Sequence, residues 1–97
     1  MPTQKWKRPE EGWAKVNTDA GFDAENGTGR SGVVIRDHSG AVIGAAARWF
    51  EGVQDVLSAE ALAAKEGLEL AVELGLPRVI LELDCQSLMK LSGTLQR

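Results

Sequence analysis

Ninety-seven residues suffice for one small domain, which buries about 60 to 65% of the surface its unfolded chain exposes, and not for two separate cores. With 43% hydrophobic and 26% charged residues the composition is that of a globular chain, and the longest apolar run, Ala41 to Ala47, is too short to span a membrane. The net charge is −3, with four basic and two acidic side chains in residues 1–16 and seven basic and twelve acidic in the rest. Such an acidic body argues against gripping nucleic acid with a broad basic surface, so a polyanionic ligand would need cations as mediators. No secretory signal follows Met1, since Pro2 to Glu11 is polar and charged, and an intracellular, soluble protein is expected. Cys85, the single cysteine, forms no internal disulfide and has no companions for a zinc site.

Residues 1–12 hold two of the three prolines and no periodicity, which predicts an N-terminal arm or linker with Trp6 as its anchor, followed by one domain over 13–97. Trp13 to Asp19 has the β-branched and aromatic content of a strand, with a carboxylate at its end. Gly21 to Gly32 is rich in glycine and polar groups and reads as a loop. Val33 to Arg36 is a short strand, Asp37 to Gly40 a hairpin turn, and Ala41 to Trp49 the second arm of the hairpin. Asp55 to Gly75 is an amphipathic helix, closed by Gly75 with Pro77 just beyond. Stepping 100° per residue from Glu60 brings Ala64, Gly67, Ala71 and Leu74 to within roughly 40° of it, so Glu60 is the one carboxylate on the core-facing stripe. Leu62 points the other way, toward the polar face. Arg78 to Asp84 alternates as a strand, and Gln86 to Leu95 restarts a helical spacing through Leu88, Leu91 and Leu95, which predicts a partial helix at the end.

Three strands, a helix and a strand make an α/β domain. A helix between strands of one sheet implies a parallel crossover, so the last strand is expected beside the first, on the side away from the hairpin. The carboxyl ends of these two parallel strands then flank a topological switch point, where open α/β sheets bind ligands. They carry Asp19 and Asp84, and a helix lying over the same two strands would bring Glu60 near both. Taken singly, Asp19 also suits the start of a turn, Asp84 the N-cap of the last helix, and Glu60 a helix N-terminus favoured by the macrodipole. Taken together, three converging carboxylates repel unless a metal neutralises them, and oxygen-only ligands favour Mg²⁺ first and Mn²⁺ second.

Other signals carry less. Gly27-Thr28-Gly29-Arg30-Ser31-Gly32 matches the dinucleotide-binding G-x-G-x-x-G, but it opens a strand where that chemistry needs a helix N-terminus, so no dinucleotide cofactor is expected. His38 reads as a turn residue. Trp6, Trp13 and Trp49 read as core or arm anchors rather than base-stacking platforms.

The segments Trp6-x-x-Pro9-x-x-Gly12-Trp13-x-Lys15-Val16-Asn17-Thr18-Asp19, Gly32 to Gly40, Ala59-Glu60-Ala61-Leu62-Ala63 with Gly67-Leu68, and Val79 to Asp84 resemble, in this order and spacing, the ribonuclease H-like domain of plant proteins described as reverse-transcriptase-like and related to retroelement polyproteins. The resemblance runs from about Trp6 to the chain end. It implies a ribonuclease H-like mixed sheet and an endonuclease that hydrolyses the RNA strand of RNA–DNA hybrids with two Mg²⁺ ions, leaving 5′ phosphate and 3′ hydroxyl ends. By motif it assigns the first three of the family's four carboxylates to Asp19, Glu60 and Asp84, with Asp19 as the bridging ligand. It also implies recognition of RNA by 2′-hydroxyl contacts and groove shape, for which the backbone around Gly21, Gly29, Ser31 and Gly32 is the candidate surface. In that family the fourth acid opens a C-terminal helix after a fifth strand, and Arg97 precedes both. The alternative reading is therefore a truncated, catalytically inactive, nucleic-acid-binding remnant of a retroelement-derived domain, with uncovered apolar surface and a tendency to self-associate.

Overall fold

The computed structural model describes the backbone of residues 6–84 and 91–96 and the side chains of residues 6–83. Six elements follow in order: β1 (Ala14–Asp23), β2 (Thr28–Arg36), β3 (Val42–Glu51), α1 (Val56–Glu73), β4 (Arg78–Asp84) and β5 (Leu91–Gln96). They form one mixed sheet in the order β3-β2-β1-β4-β5 with α1 on one face. As the topology argument expects, β4 runs parallel to β1 on the side away from the β2–β3 hairpin.

Two secondary-structure expectations need correction. The stretch from Gly21 to Gly32 is mostly strand: β1 continues to Asp23, β2 begins at Thr28, and Gly21 and Gly29 sit in the ladder opposite Arg30 and Phe22. A tight turn makes this possible. Gly27 takes φ +62°, and the Asp23 carboxylate accepts hydrogen bonds from the Glu25 and Asn26 backbone N–H groups and from Asn26 Nδ2. The Asn-Gly pair at 26–27 is a hairpin signal that outweighs the glycine content around it. Residues 91–96, read from leucine spacing as part of a terminal helix, form β5, antiparallel to β4 from Leu83↔Leu91 to Arg78↔Gln96. The fold therefore has a fifth strand. Without it β4 would expose a row of unpaired backbone groups, and Leu-Ser-Gly-Thr-Leu-Gln, alternating and with a central glycine, suits an edge strand better than a helix. The remainder of that stretch, residues 86–90, and Cys85 lie outside the described residues.

The helix bounds agree with the sequence reading. Asp55 caps its N-terminus by accepting from the Ser58 backbone N–H at 2.7 Å, and Gly75 with φ +70° follows the C-cap Leu74. Ala59, Ala63, Gly67 and Ala71 make a small-residue face that lets α1 lie close on the sheet. At Gly67 a Cβ would stand 2.8 Å from Thr18 Cγ2 and 2.9 Å from Val16 Cγ1, so only glycine permits this approach. The core beneath is Ala14, Val16, Val33, Ile35, Ala71 and Val79, with Leu68, Leu70, Leu76 and Leu81 packed around it. The helix lies chiefly over β1 and β2, not over β1 and β4 as expected. Gly44 of β3 receives Leu74 and Leu70, and Arg48 of β3 pairs with Glu66 at 3.0 Å, which draws the helix toward the hairpin side.

Candidate metal and nucleic-acid site

The pleat of β1 sets the site. Ala14, Val16 and Thr18 face α1, so Lys15, Asn17 and Asp19 share the opposite, open face. Lys15 and Asn17 belong to a fully connected polar network. The Lys15 ammonium lies 3.0 Å from Glu82 Oε1 with both side chains largely buried, Asn17 Nδ2 donates to Glu82 Oε2 at 3.0 Å, and Lys15 also donates to the Lys7 carbonyl. Trp6 covers it: its indole N–H donates to Asn17 Oδ1 at 3.1 Å, and Lys15 Nζ and the Arg36 guanidinium lie 5.0 and 5.5 Å from its ring centroid. Trp6 is thus the anchor of the arm. The network ties β1 to β4 at the register pair Asn17↔Glu82. Sequence reasoning missed it, although the signal was available: Lys15 and Asn17 share the alternation of Asp19, and Glu82 that of Asp84.

One pair further on, Asp19 stands opposite Asp84 across the parallel ladder, and β4 ends there. The expected meeting of the two acids on neighbouring parallel strands therefore exists in the backbone. Asp19 itself lies inside β1 rather than at its end, because β1 runs on into the hairpin. Its side chain is exposed and has no hydrogen-bond or ion-pair partner among the described residues. Asp84 is described in its backbone alone.

Glu60 lies in the first half of α1, on the buried stripe, with 7% of its surface exposed. It too has no hydrogen-bond or ion-pair partner among the described residues. The fully enclosed polar atom without a partner among the described residues is Ser31 Oγ, and Glu60 is the one charged side chain on the buried stripe of α1. Alternation puts it on the other side of β1 from Asp19. Among the described residues no three His, Cys, Asp or Glu side chains are grouped as a metal site.

The four candidate nucleic-acid contacts divide by face. Gly29 and Ser31 are buried toward α1; a Cβ on Gly29 would meet Val53 and Ala59, and Ser31 Oγ has no hydrogen-bond partner among the described residues. Gly21 lies under the Arg30 side chain, where a Cβ would stand 2.6 Å from Nε. Gly32, directly opposite Asp19 in the ladder, has nothing within 4 Å of where its Cβ would be. Bare backbone is thus accessible beside the Asp19 carboxylate. Asp19 and Gly32 belong to a shallow depression of about 640 Å³ on the open face, bordered by Asn17, Val34, Arg36 and Ala47.

Asp19 and Glu60 are carboxylates without protein donors among the described residues, and Asp84 is in register with Asp19. Among the described residues no helix is long and apolar enough to cross a membrane. No curated protein and no solved structure matches the chain. The pattern of the family described as reverse transcriptase-like matches residues 17–96, a span that takes in all three acids and all of the sheet except the first three residues of β1. The chain therefore belongs to the reverse transcriptase-like family and is a ribonuclease H-like domain, of a nuclease-type family whose members bind nucleic acid.

Proposed function

We propose that the domain hydrolyses the RNA strand of RNA–DNA hybrids with the help of Mg²⁺, for which Mn²⁺ can substitute. The observation that carries this reading is the register pair Asp19↔Asp84 at the point where the two parallel strands part, within a chain of this family. Asp19, Glu60 and Asp84 are the residues that would hold the metal. When bound, a divalent cation supplies Lewis-acid stabilisation of charge on a phosphoryl oxygen and a more acidic bound water.

The rest falls to the chain. The Trp6–Asn17–Glu82–Lys15 network fixes β1 against β4, so that the Asp19 and Asp84 positions are held by paired backbone rather than by loops. The uncovered backbone at Gly32 admits a ribose and phosphate close to Asp19, and the Arg36 guanidinium at the far border of the depression offers a cation to a neighbouring phosphate. Discrimination of RNA from DNA rests on 2′-hydroxyl contacts made in this shallow depression, since a floor this open reads shape rather than base edges.

A second reading, a domain that binds nucleic acid without cutting it, is favoured by one observation: Asp19 and Glu60 lie on opposite sides of β1. Incubation of the chain with an end-labelled RNA–DNA hybrid, duplex DNA and single-stranded RNA, with and without Mg²⁺, separates the two. The first reading expects metal-dependent fragments from the hybrid alone. Binding of the hybrid with no fragments in either Mg²⁺ or Mn²⁺ selects the second.

A further inference from the structure

The helix that carries Glu60 has a second apolar stripe that the domain uses only in part, through the inner side of Leu68. The inward stripe and the Glu66 flank are occupied by the sheet, the latter through Arg48 of β3. On the opposite flank, turned away from β3, Leu57, Ala61, Ala64, Leu68 and Val72 recur at intervals of three and four residues. Leu57 is 68% exposed and Val72 51%, and Ala61 is exposed as well. From Ala61 onward this flank lines an open groove of about 750 Å³ along the helix, edged by Lys65, Glu69 and Glu73. Because α1 sits over β1 and β2, no described element covers it.

We propose that this flank is the interface of a two-fold symmetric homodimer in which α1 packs antiparallel against α1 of a second copy. The order of residues along the stripe selects this occupant and this direction. Along the groove, which begins beyond Leu57, the first half is small, Ala61 and Ala64, and the second half large, Leu68 and Val72. An antiparallel pair crossing at the level of residue 66 sets Ala61 against Val72 of the partner subunit and Ala64 against the partner's Leu68, so that each large side chain meets a small one. A parallel pair would set Leu68 on Leu68 and leave a gap at the alanines. The charges agree with the same choice. Lys65 lies in the first half of the rim and Glu69 and Glu73 in the second, so the antiparallel arrangement brings Lys65 beside Glu69 of the partner subunit twice over, whereas a parallel one opposes like charges. Within one copy Lys65 and Glu69 already approach at 3.8 Å on exposed side chains, so both are placed on the rim of this groove.

The proposal is independent of the nuclease reading, since no site residue lies on this flank. Sedimentation equilibrium of the 97-residue chain over a hundredfold concentration range tests it, with twice the mass of the 10.4 kDa chain expected at the upper end. Ala61→Glu, at an exposed position, should give a monomer with unchanged far-ultraviolet circular dichroism and a cooperative melt. Lys65→Glu and Glu69→Lys should each weaken the dimer by about three- to tenfold, and the combined exchange should restore it. A monomer at every concentration overturns the proposal. So does a dimer that survives Ala61→Glu, or a double exchange that restores nothing.

Discussion

Glu60 is the one charged side chain on the buried stripe of α1. Every other position of the buried stripe of α1 is alanine or glycine, and a neutral residue there would avoid the cost of desolvating a charge. Glu60→Gln should therefore raise the melting temperature measured in a metal chelator, by several degrees. A lower melting temperature would mean that the carboxylate is itself a structural partner. Asp55 is the opposite case, an exposed carboxylate whose purpose is local. Hydrogen bonds from the Ser58 backbone N–H, and next from its hydroxyl, hold the Asp55 carboxyl below its ordinary value of 3.8; contacts from Asn26 do the same for Asp23, and from Ser39 for Asp37. Since the folded values lie below the unfolded ones, these groups contribute stability that is present above the unfolded carboxylate range and lost as pH falls through the lowered folded values. A series of thermal melts should show the melting temperature falling below about pH 4. Asp55→Asn, which keeps a capping oxygen but does not titrate, should lessen that fall.

At the scale of elements, the closeness of α1 to the sheet rests on Gly67. An alanine there gains about 1 kcal/mol of helix propensity but drives a methyl group into Thr18 and Val16, an overpacking cost of about 1 to 3 kcal/mol. Gly67→Ala should thus destabilise the domain by about 1 kcal/mol in denaturant titrations, and a gain would show that the helix moves away freely. The elements also explain which parts of the fold were legible. Asp55 and Gly75 punctuate the helix, and the alternation of Arg78 to Asp84 marks β4, because both signals are local and strong. The long β1–β2 hairpin was hidden by three glycines, each of which had an obvious loop reading, while the Asn26-Gly27 turn that joins the strands was the better indicator. β5 was hidden by leucine spacing, since the decisive factor, the open edge of β4, exists only once the sheet is built.

For the whole molecule, the pairing of the candidate acids was legible because it is a matter of topology. A parallel β4 beside β1 places Asp84 against Asp19 whatever the side chains around them do. The position of Glu60 was less so: the interactions of Leu70, Leu74 and Glu66 with β3 pull α1 over the hairpin side, and none of these is visible in a helical projection. The polar network under Trp6 was likewise invisible until β1 and β4 stood side by side. What remains is whether the accessible Asp19, opposite the bare backbone of Gly32, acts on a phosphodiester. The most direct measurement is cleavage of a labelled RNA–DNA hybrid in Mg²⁺ by the chain and by Asp19→Asn. At an exposed position this change leaves the fold intact, so activity should disappear while the melting temperature holds. Full activity in Asp19→Asn would contradict the assignment.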